Sequence, residues 1–373
     1  MIRIAFPATA WLCVSCLLPC LQAQTTLRSV QRRFGDEARR LETTSPTPEQ
    51  RTELLGRQVA ELQQFLTKEA SGDDRWNGRL MLADLQLARG DRAAAATALR
   101  SIEAPQAPPM VLVTAAAMAQ HLNLKDQRKE WIEAALAKEA PLPDRLAMAR
   151  MLMTVLQEVK QGEAVFDAAL KAAADDEERA FVRWHRADAL RDREDLPDNA
   201  AFDELEKLKN DLPKTYWGDV AKDRLRATQL RLGDDAIPFK AKTRSGTEFS
   251  LADCTGKTVV LAFWSIADRD APTLVTTLQQ LQRQFASRVV VVGICLDPDD
   301  AAIGKAVTDL GIDFAVIGSG KGIQTDAALR WFVEGSTIHV IDPQGKVRGL
   351  GLHVGTADAR AELLDLVERA SKS

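Results

Sequence analysis

The fold of this 373-residue chain is decided by the stretch Gly256-Lys257-Thr258-Val259-Val260-Leu261-Ala262-Phe263-Trp264. A second apolar run, Val289-Val290-Val291-Val292-Gly293-Ile294, follows it along the chain. Short apolar runs of this kind, bounded by Gly and Asp, are typical of fully buried parallel strands. Helix-like stretches come after both runs, at 273–285 and 301–310. Strands that alternate with helices predict an α/β domain with a parallel component.

The composition of the chain changes near residue 233. Residues 24–232 contain 7 glycines, whereas the shorter segment 233–373 contains 14. The first segment is rich in Ala, Leu, Glu, Arg and Gln, which are strong helix formers. We therefore predict an α-helical domain over residues 24–232 and an α/β domain over residues 233–373.

The helical domain repeats a short pattern. The pairs Ala98-Leu99, Ala135-Leu136, Ala169-Leu170 and Glu204-Leu205 recur at intervals of 37, 34 and 35 residues. A turn signal such as Gly90-Asp91 precedes each pair, so each unit is predicted to be helix, turn, helix. The interval and the small residues resemble tetratricopeptide repeats in a degenerate form, in which neighbouring helix pairs cover each other's apolar stripe. An irregular α-helical bundle is the alternative. Either arrangement predicts a scaffold that contacts other proteins of the cell envelope or periplasm.

The C-terminal domain resembles TlpA-like thiol–disulfide oxidoreductases and related redoxins. The resemblance rests on Ile237-Pro238-Phe239, on residues 246–264, on the strand that ends at Asp297 and on residues 331–347, which are similar to the family's terminal hairpin. These motifs occur in the family's order. The resemblance implies a thioredoxin-like fold for residues 233–373.

The family's dithiol chemistry is not carried by this sequence. Its members place a CxxC at the start of the helix after the Phe-Trp pair, where the helix N-terminus lowers the pKa of the first thiol. Without gaps, Asp268 takes the position of the nucleophilic cysteine and Ala271 that of the resolving cysteine. A carboxylate cannot form or break a sulfur–sulfur bond. The family's cis-proline falls at Ser336, and because a cis bond before a residue other than proline costs about 2.5–4 kcal/mol, we expect Ser336 to be trans.

Two interpretations remain open for Asp268, Arg269 and Asp270. In the structural one, Asp268 or Asp270 caps the following helix, and Pro272 lies in the first turn, where a missing N–H is tolerated. In the functional one, the three charged side chains form a polar site that binds a partner or a ligand.

The segment 24–373 contains only two cysteines, Cys254 and Cys295, and no CxxC. A disulfide scaffold and a cysteine zinc site are therefore excluded. Three states remain open: two small apolar core residues, one bridge between them, or a reactive thiol. The last state is the basis of an alternative function, a divergent thiol–disulfide oxidoreductase that works through Cys295, Cys254 or both.

No sequence pattern indicates a metal or a cofactor. His121, His185, His339 and His353 have no metal-ligand spacing, and we expect them to be packing or surface residues. The segment 318–322, Gly-Ser-Gly-Lys-Gly, lacks the spacing of a phosphate-binding loop and is predicted to be a simple loop.

The N-terminal residues 1–23 resemble a secretion signal. Arg3 precedes the apolar stretch 4–21, and Ala23 offers a small residue for cleavage before Gln24. We therefore expect export to the periplasm or cell envelope. A lipid anchor is not expected, because Pro19 before Cys20 fits a lipidation signal poorly, and no membrane-spanning segment is expected in the mature chain. A net charge of −4 gives no reason to expect nucleic-acid binding.

Taken together, these patterns predict an exported protein with a helical-repeat arm and a thioredoxin-like domain that has lost its CxxC and cis-proline. The predicted role is binding or scaffolding, without catalysis. Enzymatic thiol chemistry at Cys295 or Cys254 is the alternative, and non-redox ligand binding at residues 268–270 is a third possibility.

Overall fold

The computed structural model describes residues 26–68, 70–193, 195–197 and 199–372. The predicted signal peptide lies outside these residues. The described chain forms two compact units that meet in sequence between Glu204 and Leu205. No helix in the described part of the chain is both long enough and apolar enough to cross a membrane.

The first unit is α-helical, as its composition predicts. Its helices are α1 (Leu27–Glu42), α2 (Pro48–Lys68), α3 (Asp74–Ala88), α4 (Arg92–Arg100), α5 (Pro109–His121), α6 (Lys125–Leu136), α7 (Leu142–Thr154), α8 (Val159–Ala172) and α9 (Asp176–Arg191). A further helix, α10 (Asn199–Asp211), begins in this unit and extends past Glu204 into the second unit. Several of these helices have an acidic residue at their start. Asp91 accepts a hydrogen bond from the amide of Ala94, and Asp175 accepts one from Glu178, so each aspartate satisfies an amide left free at a helix start.

Helices of the first unit pack in successive pairs. At the crossing of α7 and α8, a Cβ on Gly162 would lie 2.4 Å from Met153 Cγ and 2.7 Å from the carbonyl oxygen of Ala149. Only a glycine allows this close approach. The small-residue pattern therefore reflects helix contacts, while the assignment to tetratricopeptide-like repeats remains a prediction.

Two arginines connect one helix pair to the next in the same way. Arg92, at the start of α4, donates to the carbonyl oxygen of His121 at the end of α5. Arg128 in α6 donates to the carbonyl oxygen of Leu156, just after α7, at 2.8 Å. Each guanidinium binds a carbonyl that the end of a helix leaves without an intrahelical partner.

The second unit is a mixed α/β domain with a thioredoxin-like arrangement. Its elements are α11 (Tyr216–Ala227), β1 (Lys240–Lys242), β2 (Glu248–Ser250), β3 (Thr258–Trp264), α12 (Ala271–Gln284), β4 (Val289–Cys295), α13 (Asp300–Asp309), β5 (Ala315–Ile317), α14 (Asp326–Arg330), β6 (Thr337–Ile341), β7 (Val347–Leu352) and α15 (Ala357–Ala370). The central sheet has the order β5-β4-β3-β6-β7. Strands β3, β4 and β5 are parallel, and β6 and β7 form the antiparallel terminal hairpin. The predicted fold class is confirmed.

The central strand β3 is buried along its whole length and supplies both layers of the core. Val260, Ala262 and Trp264 lie in one cluster with residues of α12, α13 and α15. Val259, Leu261 and Phe263 lie in the other, with residues of α14 and the segment around Ile237. Side chains alternate between the two faces of a strand, so a continuous apolar run in β3 serves both layers.

The second compact unit begins before the change of composition at residue 233. It includes α11, because Asp219 and Asp223 of that helix both pair with Arg330 in α14. Asp223 and Arg330 are largely buried in this contact. Helix α11 therefore lies before the change of composition at residue 233 but packs as part of the α/β unit.

Candidate functional site

The candidate site lies where the carboxyl ends of β3 and β4 meet the start of β6. Open α/β sheets place their ligands at this edge. The loop after β3 brings Ser265 and Asp268 there, the end of β4 brings Asp297, and the turn before β6 brings Ser336.

Asp268 and Ser336, which the resemblance aligns with the family's cysteine and cis-proline, are hydrogen-bonded to each other. The Ser336 hydroxyl donates to Asp268 Oδ2 and accepts from the amide of Ser265, with 3.1 Å between Ser265 N and Ser336 Oγ. Every peptide bond of the described residues is trans, so the expectation of a trans bond before Ser336 is confirmed. One hydroxyl thus ties the loop after β3 to the turn before β6.

Asp297 is a site residue that sequence reasoning missed. Its carboxylate accepts from the amide of Ile266 at 2.7 Å, from the hydroxyl of Ser265 at 3.1 Å and from the thiol of Cys295 at 3.1 Å. The sequence feature that indicates Asp297 is its position directly after the second apolar run, at the sheet edge where ligand sites occur. Asp297 holds the loop after β3 in place from the side opposite Ser336.

An aspartate, Asp270, lies at the N-cap of α12, as the structural interpretation predicts, but it does not make the capping hydrogen bond. Its φ and ψ of −91° and 2° lie outside the extended region from which an N-cap side chain reaches back to the helix amides. Pro272, at the second helical position, also lacks one of the amides that a cap would bind. Asp268 bonds Ser336 instead.

Cys254 and Cys295 are both free and are held in different cores. Cys295 is fully buried in the cluster that contains Trp264, while half-buried Cys254 packs against the cluster that contains Phe263. The two thiols therefore belong to opposite faces of the sheet, and the bridge that the sequence left open is not formed.

Both thiols are held in the neutral form. Burial raises the pKa of the Cys295 thiol far above its ordinary value, and the neighbouring carboxylate of Asp297 acts in the same direction. Burial, followed by the charge of Asp253, also raises the pKa of Cys254. A thiolate is the reactive form of cysteine, so neither environment favours nucleophilic chemistry.

A cleft of about 430 Å³ adjoins Asp268. Its lining comes from the loop before α12, from α12 itself, from the start of β6 and from the segment after β7. Arg269, Asp270 and His353 line this cleft, are exposed, and make no side-chain hydrogen bond or ion pair within the described chain. The structure thus brings residues 268–270 together with Ser336 and adds to the same cleft His353, an exposed residue with no metal-ligand spacing.

His339 is a packing residue of the sheet, as expected. Its ring stacks on Trp331 at 5.0 Å between centroids and meets Phe263 edge-on at 5.8 Å. Its Nδ1 accepts from the amide of Gly351 at 3.3 Å. Burial lowers the pKa of His339 to about 4, so the ring is neutral at pH 7. Among the described residues, no three His, Cys, Asp or Glu side chains are grouped so that they could hold a metal ion.

Comparisons with known proteins give one family model and several relatives that match part of this chain. The AhpC/TSA family model matches residues 232–350. A thioredoxin-like protein, YneN of Bacillus subtilis (strain 168), is 26% identical over 145 residues, which cover 38% of this chain and 82% of that protein. A crystal structure from Chlorobium tepidum, described as a thiol:disulfide interchange protein DsbE, is 28% identical with a TM-score of 0.35, and the match covers 38% of this chain and 99% of that one. A secreted thiol-disulfide isomerase from Corynebacterium glutamicum is 20% identical with a TM-score of 0.33, over 37% of this chain and 86% of that one.

Proposed function

We propose that the C-terminal domain, whose residues 232–350 match the AhpC/TSA family model, binds or scaffolds other proteins and performs no dithiol chemistry. The observation that carries the proposal is the hydrogen bond between Asp268 and Ser336. Where the resemblance implies a nucleophilic thiol and a cis-proline, a carboxylate and a hydroxyl bind each other. Neither group can exchange disulfides.

The two remaining thiols support the same proposal. Cys295 is buried and donates to Asp297, so its hydrogen-bonded form is the protonated one. Cys254 packs against the other core cluster, and the charges of Lys257 near Cys254 and Arg244 near Cys295 do not offset the effect of burial, which keeps the pKa of both thiols raised. Disulfide exchange needs an accessible thiolate and a second thiol within reach, and these surroundings supply neither.

We further propose that the protein is exported and that its helical unit provides the main surface for envelope or periplasmic partners. The secretion-signal pattern of residues 1–23 supports export. The test is the N-terminal sequence of the protein isolated from cells. Gln24 as the first residue would support export, and an intact N-terminus would contradict it.

The dithiol question is tested by measuring insulin-disulfide reduction by the protein, with dithiothreitol as the electron source. We expect the same slow rate as with dithiothreitol alone. Parallel alkylation with iodoacetamide, located by peptide mass spectrometry, should modify Cys254 before Cys295 and both slowly. Turnover above the background that disappears in Cys295→Ser or Cys254→Ser would overturn the proposal and establish the oxidoreductase alternative.

A further inference from the structure

A second cleft lies at the end of the central strands opposite to the candidate site. Val259, near the start of β3, and Ile341, at the end of β6, are paired across the sheet and line it, whereas the candidate site lies where β3 ends. We call it the Arg226 cleft, and it is bounded by Arg226, Leu251, Cys254, Val259 and Ile341. We propose that it binds a small molecule that carries one carboxylate and an apolar chain, such as a medium-chain fatty acid.

The floor of the Arg226 cleft is apolar and fixed. Val259, Ile341 and Leu251 have only 2%, 1% and 8% of their surface exposed, and all three belong to the core cluster that contains Phe263. Pro238 adds an apolar wall. The volume of about 340 Å³ lies at the small end of the range of about 300–1,000 Å³ that ligand pockets occupy. An apolar chain of limited length would therefore cover this floor.

The positive charge of the cleft comes from Arg226 of α11, which is partly buried. Its Nη2 donates to the main-chain carbonyl oxygen of Asp235, and its side chain forms no ion pair with a carboxylate of the described residues. Asp235 is the one acidic residue in the lining, and its carboxylate pairs with Lys346 at 2.7 Å. Arg226 acts on that carboxylate only as a more distant charge. The guanidinium therefore has donors left for a ligand.

An anionic head group with an apolar chain satisfies both parts of the cleft. A guanidinium presents five N–H donors in a planar fork, which matches the two oxygens of a carboxylate. A cationic ligand would be repelled by Arg226, and a neutral one would make weaker hydrogen bonds to it. The Arg226 cleft shares no lining residue with the cleft beside Asp268, so this inference does not depend on the proposed function.

Cys254 reports directly on occupancy of the cleft. Its half-buried thiol lies in the lining, so a bound ligand would cover it and slow its alkylation. Cys295 lies in the other core cluster and is the internal control. The experiment treats the full protein with iodoacetamide at increasing octanoate concentrations and locates the modified cysteines by peptide mass spectrometry. We expect alkylation of Cys254 to slow as octanoate binds, with the rate of Cys295 unchanged.

A ligand series separates the contribution of the chain from that of the charge. The concentration that half-protects Cys254 gives the apparent Kd of each compound. Octanoate should bind about tenfold more tightly than hexanoate, because it buries two more CH₂ groups. Octanamide has the same chain and a similar head group without the charge, and it should bind about tenfold more weakly than octanoate.

A variant of the arginine connects the binding to the cleft. Arg226→Gln should weaken octanoate about tenfold and leave octanamide unchanged, because only the charged head group loses its partner. Arg231→Gln removes an exposed arginine from the same segment that does not line the cleft, so it is the matched control and should leave the octanoate affinity unchanged. Urea midpoints of both variants establish that they remain folded.

The results that would overturn the proposal are equally specific. Cys254 that octanoate does not protect, or a slowing of Cys254 and Cys295 by the same factor, would show that the cleft is not the place of binding. Equal affinities of octanoate and octanamide, or an octanoate affinity that Arg226→Gln leaves unchanged, would overturn the assignment of a carboxylate. If Arg226→Gln fails to fold, the comparison of octanoate with octanamide on the unaltered protein decides the question.

Discussion

Arg330 of α14 donates through Nη1 to Asp223 of α11 at 2.5 Å, and both side chains are almost buried, with 12% and 5% of their surface exposed. The same guanidinium contacts Asp219 at 2.7 Å and Asp326 at 3.0 Å. Tyr216 completes the cluster by donating to Asp326 at 2.8 Å. One cation thus stabilises three carboxylates and attaches α11 to the α/β unit.

Removing that cation should destabilise the second unit strongly. In Arg330→Ala, Asp223 would stay buried beside Asp219 without a counter-ion, and we expect a loss of about 3–5 kcal/mol in the free energy of unfolding. Urea denaturation followed by circular dichroism measures it. Arg283→Ala breaks the exposed pair with Asp313 and should cost at most about 1 kcal/mol. Equal losses in the two variants would contradict the burial argument.

The Asp268–Ser336 hydrogen bond can be measured by a double-mutant cycle. Asp268→Ala and Ser336→Ala should each destabilise the protein, and the double variant should lose less than their sum. The difference, about 1 kcal/mol, is the coupling that one hydrogen bond of a partly exposed pair provides. The readout is the urea midpoint of the four proteins. Strict additivity would mean that the two side chains do not interact in solution.

Low pH should reduce the folding stability of the protein through protonation of His339. Its pKa is lowered to about 4 in the folded state from 6.5, so the unfolded state binds the proton more readily. Stability is therefore complete above pH 6.5 and is lost as the pH falls toward 4, by up to about 3 kcal/mol. His339→Phe retains an aromatic ring against Trp331 but cannot titrate, so the slope of stability against pH between 6.5 and 4.5 should become shallower. Unchanged slopes would assign the acid sensitivity to the carboxylates.

Gly293 of β4 should tolerate no side chain. A Cβ there would lie 2.8 Å from Phe314 Cε2 and 3.1 Å from Trp264 Nε1. Because both neighbours belong to a packed core, Gly293→Ala should cost about 1–3 kcal/mol. Gly335→Ala is the matched control, since nothing lies within 4 Å of its Cβ and its φ is not positive. Thermal unfolding of the two variants should separate them clearly, and equal melting temperatures would refute the packing argument.

Asp297→Asn should loosen the loop after β3. An amide nitrogen cannot accept, so either Ile266 and Cys295, which share Oδ2, or Ser265, which bonds Oδ1, lose their acceptor. We expect a loss of about 1–2 kcal/mol in the free energy of unfolding. The Cys295 thiol should also alkylate faster, because a negative charge that favours its protonated form is gone. An unchanged alkylation rate would show that burial alone protects it.

Much of the fold follows from local pattern. The apolar runs at 258–264 and 289–295 became β3 and β4, and the helices predicted at 273–285 and 301–310 appear as Ala271–Gln284 and Asp300–Asp309. These elements are decided by composition and periodicity within one segment, which a sequence displays directly.

The parts that were not predicted depend on contacts between distant residues. Asp297 bonds Ile266 from 31 residues away, and Arg330 bonds Asp219 from 111 residues away. The absent cap at Asp270 has the same origin, because its backbone angles are imposed by the loop and not by its residue type. Such positions become defined only when folding brings distant elements together.

The arginines that bind helix ends in the first unit also bear on how that unit comes apart. Arg92 and Arg128 each hold the end of a helix in the following pair, so a pair that frays deprives its neighbour of a hydrogen-bond donor. Where helix pairs pack side by side, each pair is stabilised partly by its interface with the next, and these bonds add to that interface. Strong interfaces suppress partially unfolded forms. The helical unit should therefore unfold as one block, with a single transition, and should not unravel from its ends.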